Sequence, residues 1–449
     1  MHRTLLFVAT LFALAISACA GAQRHARTPD ALTLDGALGN RFVPSGARSS
    51  LVARIRLGTA TADPSTHPPI NLALVIDTSG SMEGAPIDDA RTASLALLDT
   101  LRDGDRLAVV TFDSRAELLV PSVTLDHASR EDARARIGRM RARGTTDLLH
   151  GLRMGIEQVA AHLDRAGVNR VVLLGDGVPN EPQGIEDMAA SAGAHGISIT
   201  ALGLGLDYNE TLMGAIATRS GGRFHYVDDS RAVASVFRGE VLRLERVVAR
   251  NAVVTLTPGP DVQIEGVLGQ QATRTDQGIT INVGDLTEGA ARDLVVRINV
   301  PSRRAGAPVE LLDAQLAWTD PGAPGELRSR DLFLGAHATA SATDLEGGRD
   351  AEVESVAARV QLAVGTVAVI REARGGHVEE AQRQLDQLLD GARQRGVHGD
   401  AYRRQIAAVT SLRAALPSTA MPVTETAGAP PQRAVREAHE QAMSVLSGE

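Results

Sequence analysis

Residues 70–82 read INLALVIDTSGSM, and this stretch decides the predicted fold. Residues 72–76 are all apolar without alternation, which is typical of a strand buried on both faces of a parallel sheet. The run ends at Asp77 and is followed by the polar turn Thr-Ser-Gly-Ser. Because ligands of open α/β sheets bind outside the carboxyl ends of the strands, this turn is a candidate binding site.

The turn offers oxygen donors at alternate positions. Asp77, Ser79 and Ser81 supply a carboxylate and two hydroxyls, which suit Mg²⁺ or Mn²⁺ better than zinc. In a second interpretation, Asp77 and Ser79 satisfy the N–H groups at the start of the next helix. The triplet alone does not separate the two interpretations.

The composition limits the classes of partner. The chain has 449 residues, 43% of them apolar, so it can bury more than one core. Its net charge is -8, and its 46 basic residues, all arginine, are scattered among 54 acidic ones. Aromatic residues make up only 2%, which leaves few platforms on which bases could stack. We therefore expect no nucleic-acid partner.

The N-terminus has the pattern of an export signal. An apolar run over residues 5–16 is too short to span a bilayer, which needs about 20 residues. The single cysteine, Cys19, follows Ile-Ser-Ala and resembles the bacterial lipobox, in which the cysteine becomes the lipidated first residue. The same residues also fit an ordinary small-x-small cleavage site. We favour the lipobox, because the only cysteine of an exported chain stands at that position.

The lipobox carries expectations about localisation. Residues 1–18 would be removed as a lipoprotein signal peptide, and Cys19 would attach the exported chain to a membrane of the cell envelope. Ala20 is not the aspartate linked with inner-membrane retention, so the outer membrane is favoured.

Hydrophobic periodicity predicts an α/β fold with a second, β-rich part. Strand and helix patterns alternate over residues 69–246, which indicates a doubly wound, mostly parallel sheet. Alternating strands between turn signals over residues 247–345 predict an antiparallel β-sandwich. The strand within residues 50–68 has no partner nearby in the sequence. We expect it to pair into the sandwich, which would make the α/β domain an insertion.

The remaining segments are expected to be helical or unstructured. Helical periods over residues 350–416 predict a C-terminal helical bundle. Residues 19–49 are expected to form a tether that becomes ordered only towards its end. Residues 417–449 are expected to form a mobile tail, because their first half is rich in Pro, Thr and Ala.

Two later loops bring further oxygen donors to the same edge of the predicted sheet. Thr146 lies in a Gly-Thr-Thr-Asp stretch before a helix, and Asp176 follows the buried strand at residues 171–174. If Asp77 and Ser79 only capped a helix, these further donors would not need to lie at the same edge, so their position favours the metal site. The pattern D-x-S-x-S with a later Thr and a later Asp resembles a von Willebrand factor type A domain that carries a metal-ion-dependent adhesion site.

The resemblance implies roles for five residues. The hydroxyls of Ser79, Ser81 and Thr146 would hold the ion, while Asp77 and Asp176 would act directly or through bound water. The cofactor would be Mg²⁺ or Mn²⁺, and its open coordination position would accept an acidic side chain of a protein partner. The chain would then be a lipid-anchored envelope protein that binds a protein ligand.

The chain departs from the family pattern at two positions. Gly175 stands where a hydroxyl residue commonly precedes the aspartate, and Thr145 replaces a frequent glycine. These departures bear on metal affinity and loop conformation rather than on the identity of the ligands.

Two other functional classes are alternatives. A structural envelope protein could carry the same loops with an inert metal site. A metal-dependent hydrolase is the other, but the sequence has no G-x-S-x-G, no H-E-x-x-H and no paired-cysteine motif. We therefore expect a binding protein and not an enzyme.

Overall fold

The computed structural model describes most of the chain. The described residues are 32–59, 68–164, 167–175, 182–205, 209–227, 229–321, 323, 326–394, 399–416 and 430–448. Cys19 and Asp176 lie outside these ranges, so the expectations for both remain predictions.

The first described strands belong to a β-sandwich. They are β1 (Leu32–Leu38), β2 (Phe42–Pro44) and β3 (Ser49–Thr59). In β3, every second side chain from Leu51 to Leu57 is buried and those between are not, because successive residues of a strand point to opposite faces. The strand therefore contributes one apolar face to a core.

An α/β domain follows. Its elements are β4 (Ile70–Asp77), α1 (Ala85–Thr100), β5 (Arg106–Phe112), β6 (Ala116–Thr124), α2 (His127–Ile137), α3 (Leu148–Ala160), β7 (Val168–Gly175), α4 (Ile185–Ala194), β8 (Ser198–Leu204), α5 (Glu210–Arg219), β9 (Phe224–Val227) and α6 (Val233–Leu244). The sheet order is β6-β5-β4-β7-β8-β9, and all neighbours are parallel except the β5–β6 pair. Helices α1, α2 and α6 cover one face, and α3, α4 and α5 cover the other. The predicted doubly wound, mostly parallel sheet is confirmed.

The strand order reverses at β4. From β4 the chain goes to β5 on one side and later returns to β7 on the other side. All eight residues of β4 are buried, which explains its unbroken apolar run. The carboxyl end of β4 is thus the topological switch point, where a crevice opens between oppositely directed crossovers.

The sandwich is completed after the α/β domain. Its later strands are β10 (Val247–Pro258), β11 (Gln263–Val267), β12 (Ala272–Thr275), β13 (Gly278–Thr287), β14 (Ala291–Val300), β15 (Pro308–Thr319) and β16 (Leu327–Thr339). One sheet has the order β1-β3-β14-β11 and the other β12-β13-β10-β15-β16-β2. Strand β3 pairs antiparallel with β14, so the sandwich contains strands from both sides of the α/β domain. The inserted arrangement expected from the sequence is present.

Five helices end the described chain. They are α7 (Ala342–Gly347), α8 (Ala351–Arg374), α9 (Val378–Gln394), α10 (Asp400–Ala415) and α11 (Pro430–Ser447). By length and composition α8 could cross a membrane, but half of its most apolar window is buried inside the protein. Its apolar residues pack against α9 and α11 and against the α/β domain. Packing within the protein therefore accounts for the apolar character of α8.

The tether predicted for residues 19–49 is wrong from residue 32 onward. Strand β1 pairs with β3 along its whole length, and Leu32 is fully buried in the sandwich core. The small residues Gly36 and Ala37 hid the alternating pattern; at Gly36, a Cβ would lie 2.5 Å from Leu332 Cδ2, so a larger residue would displace that leucine side chain.

The mobile tail predicted for residues 417–449 is wrong for helix α11. Val435, Ala438 and Ala442 are spaced for one helix face and are buried. This face packs against α8 and α10, which supplies the burial that an isolated helix lacks. The Pro- and Thr-rich part, residues 417–429, lies outside the described residues.

A buried ion cluster joins the α/β domain to the C-terminal helices. Glu210 opens α5 and accepts Arg374 Nε from α8 at 3.0 Å and Arg436 Nη1 from α11. The side chains of Glu210 and Arg436 are each 1% exposed. Three elements therefore share one charge cluster, in which the Glu210–Arg436 pair is buried.

A glycine pair joins the α/β domain to the sandwich. Gly221, after α5, and Gly284, in β13, both have positive φ. A Cβ on Gly284 would lie 2.2 Å from the carbonyl oxygen of Gly221. The two backbones can approach this closely because neither residue has a side chain.

Candidate metal site

The loop after β4 gathers three of the predicted donors. Asp77 ends the strand and is 1% exposed, and its Oδ1 accepts the backbone N–H of Ser79 at 2.8 Å. The hydroxyls of Ser79 and Ser81 lie 3.0 Å apart, with Ser79 buried and Ser81 exposed. The donors therefore run from the interior towards solvent.

The structure does not support capping of α1 by these side chains. The N-cap of α1 is Gly84, and no side chain caps it. Ser79 precedes only a short 3₁₀ turn, Gly80–Met82, and makes no side-chain cap there. The donor triplet precedes the helix by several residues, so helix capping does not explain it.

The second loop is held against the first by backbone hydrogen bonds. The N–H of Arg143 donates to Thr78 O at 2.7 Å, and the N–H of Gly80 donates to Gly144 O at 3.0 Å. These bonds bring Thr146 to the same edge as the serines. Thr146 is partly exposed, and its hydroxyl has no hydrogen-bond partner among the described residues. A hydroxyl without a partner among the described residues, at the edge of the sheet that carries the two serines, is suited to hold an ion.

Glycine 144 and the unusual Thr145 have clear structural consequences. Gly144 has φ +74°, and a Cβ there would lie 2.5 Å from Ser114 Oγ. The exposed Thr145 donates its N–H to the same Ser114 Oγ at 3.0 Å. Thr145, the departure from the family pattern, is therefore held through Ser114.

The third loop starts beside Asp77. Strands β4 and β7 are parallel neighbours with Ile76 opposite Leu174, so Gly175 is level with Asp77. A Cβ on Gly175 would lie 3.7 Å from Asp77 Oδ2, an ordinary contact distance. The chain thus leaves β7 next to the Asp77 carboxylate, and Asp176 is the next residue, outside the described part.

Asp113 and Arg143 support the site and were not identified from the sequence. Asp113 follows β5, is 6% exposed, and accepts Arg143 Nε at 2.7 Å and the N–H of Arg115 at 3.2 Å. Its backbone oxygen also accepts the N–H of Asp147 at 2.7 Å. Asp113, and to a smaller extent Glu117, raise the pKa of Arg143 above its ordinary value. The signal that could have found Asp113 is its position directly after a buried strand at the same edge.

The arrangement fits a small divalent cation. Six-coordinate Mg²⁺ has oxygen ligands at about 2.1 Å, so neighbouring ligands lie about 3.0 Å apart. The Ser79 and Ser81 hydroxyls, which are hydrogen-bonded to each other at 3.0 Å, already have this spacing. Within the described residues, no group of three His, Cys, Asp or Glu side chains could hold a metal. The candidate site therefore depends on its serine and threonine hydroxyls as well as on carboxylates.

Comparison with known proteins identifies the domain. Residues 71–239 match the family model of the von Willebrand factor type A domain. This part of the chain is therefore a von Willebrand factor type A domain. Domains of this type typically mediate protein–protein interaction and often bind a divalent metal.

The matches to individual proteins extend beyond this domain. The Synechocystis protein sll0103 is 29% identical over 282 residues, which cover 60% of this chain and 66% of that protein. The Arabidopsis E3 ubiquitin-protein ligase WAV3 is 24% identical over 63% of this chain but only 38% of its own length. The chain thus spans less than two thirds of either relative.

One solved structure shares nearly the whole architecture. The von Willebrand factor type A protein from Catenulispora acidiphila has a TM-score of 0.73, is 18% identical, and is matched over 94% of this chain and 98% of its own. This likeness extends the shared fold to the sandwich and the helices around the α/β domain.

Proposed function

We propose that the α/β domain binds a protein partner through a divalent cation at the carboxyl end of β4. The observation that carries this proposal is the 3.0 Å separation of the Ser79 and Ser81 hydroxyls beside buried Asp77, at the switch point of the sheet. The bonds between the first and second loops support the inclusion of Thr146. Asp176 is included on the sequence pattern alone.

Each donor has a separate task in the proposed site. Ser79, Ser81 and Thr146 hold the ion through their hydroxyls, and Asp77, whose Oδ1 accepts the Ser79 N–H, orients the loop as well as balancing charge. The bound Mg²⁺ or Mn²⁺ supplies a positive centre with a position open to an outside ligand. Two aspartates balance the charge of the ion without excess and leave one coordination position to water, so a carboxylate of the partner can complete the shell.

Substitution of Thr146 tests the metal site with little risk to the fold, because the side chain is partly exposed and makes no hydrogen bond to the described residues. We expect the full chain to bind one Mn²⁺ or Mg²⁺, and Thr146→Ala to weaken binding about tenfold to a hundredfold, as losses around metal ligands do. Isothermal titration with each metal salt measures this.

Thr145→Ala is the matched control. It removes the neighbouring hydroxyl, which contacts Ser114, and should leave the metal affinity nearly unchanged. Equal affinity in the wild type and Thr146→Ala, or no metal binding at all, would refute the site and favour the structural alternative.

We further propose that the mature chain starts at a lipid-modified Cys19 and is exported to the cell envelope, with the outer membrane favoured. The motif that supports this is the apolar run followed by Ile-Ser-Ala-Cys. Mass spectrometry of the mature N-terminus should find an acylated cysteine, and Cys19→Ala should move the protein from the membrane to the soluble fraction. An unmodified start after residue 19, or unchanged membrane association of Cys19→Ala, would contradict the anchor.

A further inference from the structure

A groove rich in arginine adjoins the candidate metal site. We call it the arginine groove; it has a volume of about 550 Å³ and is lined by Thr78, Thr111, Glu117, Leu118, Leu119, Asp132, Arg136, Arg139, Met140, Arg141 and Arg143. Edge strand β6 forms one wall, and the end of α2 with the segment after it forms the other. The groove thus lies at the edge of the sheet, between strand β6 and helix α2.

The charges in the groove are not balanced. Its lining has four arginines and two carboxylates, which leaves a surplus of two positive charges. Both carboxylates are already engaged, because Glu117 pairs with Arg143 and Asp132 with Arg136, each at 2.8 Å. The remaining positive charge therefore belongs to Arg139 and Arg141.

Arg139 and Arg141 are available to an outside ligand. Both are exposed, and neither forms an ion pair with any carboxylate in the described part of the chain. Within the described residues, Arg141 donates hydrogen bonds to backbone carbonyls alone, including Met140 O at 2.8 Å. The chain as a whole has a net charge of -8, but the groove around this pair carries a positive charge and attracts negatively charged ligands.

The groove is continuous with the candidate metal site. Thr78 lines the groove, lies between Asp77 and Ser79, and accepts the N–H of Arg143 at 2.7 Å. Thr78 is thus shared by the groove and the loop that carries the candidate metal site. One extended segment can therefore contact both places.

We propose that the arginine groove binds an acidic peptide segment of the protein whose carboxylate completes the metal site. This rests on the proposed function and names the chemistry of its partner. The segment carries one acidic residue for the ion and further acidic residues for Arg139 and Arg141. An edge strand presents backbone groups to an extended chain, and Leu118 and Leu119 offer apolar contacts that a nucleic acid would not use.

Peptides of known charge test the proposal on the full chain. The probe is a labelled octaglutamate peptide, with octaglutamine as the uncharged comparison, and fluorescence anisotropy measures binding with Mg²⁺ or with chelator. We expect Arg139→Gln with Arg141→Gln to weaken octaglutamate binding roughly 5- to 20-fold at low salt, since two charge-assisted contacts are lost.

Arg304→Gln with Arg404→Gln is the matched control. It removes the same charge from exposed arginines on the sandwich and the helical bundle, and should change binding less than about twofold.

The outcomes separate the groove from the metal site. Loss of affinity in the groove double variant, both with and without Mg²⁺, supports the groove; a further loss on chelation supports the metal site independently. Binding that needs Mg²⁺ but is equal in the two double variants would overturn the groove and leave the proposed function intact. Binding that is independent of Mg²⁺ but weaker in the groove double variant would support the groove and contradict the proposed metal-dependent function. Failure of octaglutamate to bind better than octaglutamine would overturn the groove.

Discussion

Arg436→Ala is expected to lower the free energy of unfolding by about 3–5 kcal/mol, because it removes the buried partner of the Glu210 carboxylate and leaves only the partly exposed Arg374 as its counter-charge. Glu210 and Arg436 are each 1% exposed, and the remaining partner of the carboxylate, Arg374, is 38% exposed. The variant should also release α11 from α5 and α8. Urea unfolding gives the stability change, and hydrogen exchange across residues 430–448 shows whether α11 is released.

Two comparisons isolate the buried charge as the cause. Arg433→Ala lies one turn earlier on α11, where Arg433 is 62% exposed and 3.4 Å from Glu437, and should change stability by less than about 0.5 kcal/mol. Adding Glu210→Gln to Arg436→Ala should recover part of the loss, because an amide needs no counter-charge. Equally small effects of both arginine substitutions would show that the cluster does not hold α11 in place.

Gly284→Ala should separate the α/β domain from the sandwich and destabilise the chain by about 2–5 kcal/mol, the sum of overpacking and a left-handed backbone penalty. The new Cβ would lie 2.2 Å from the Gly221 carbonyl oxygen, so the two backbones must move apart. Thermal unfolding should show a lower midpoint, and hydrogen exchange should increase at the turn after α5.

Gly289→Ala controls for the backbone penalty. Gly289 has φ +69°, close to the +80° of Gly284, but a Cβ there would meet no atom within 4 Å. It should therefore cost only about 1–2 kcal/mol and leave exchange near Gly221 unchanged. If the two alanine variants were equally destabilised, the contact between the domains would contribute nothing.

Local sequence patterns predicted the secondary structure correctly where a segment is strongly buried on one or both faces. The unbroken apolar run of β4 and the alternation in β3 each indicated the correct kind of strand, because the two periods report burial on two faces or on one. Helix α11 was missed because its apolar face is narrow and follows a Pro-rich stretch. Long-range contacts, mainly with α8 and α10 and also with α5 and β9, make that face part of a core.

The sequence predicts which residues could hold a metal ion, but it does not predict the contacts that support their loops. Ser79 and Ser81 follow the end of β4, and Thr146 lies in the loop before α3 at the same edge of the sheet. The Asp113–Arg143 pair joins residues 30 positions apart, and no local period reports such a contact. The Glu210–Arg436 pair spans 226 positions for the same reason.

The insertion of the α/β domain determines how a mechanical load would enter the sandwich. The domain is joined to it on one side through β3 and on the other through β10, and each is an inner strand with neighbours on both sides. Tension applied to the domain would be shared between two covalent connections, and neither strand could be peeled away from an edge. Pulling either strand out would require many of its hydrogen bonds to the two neighbouring strands to break together. A single proteolytic cut in one connection would leave the domain attached by the other.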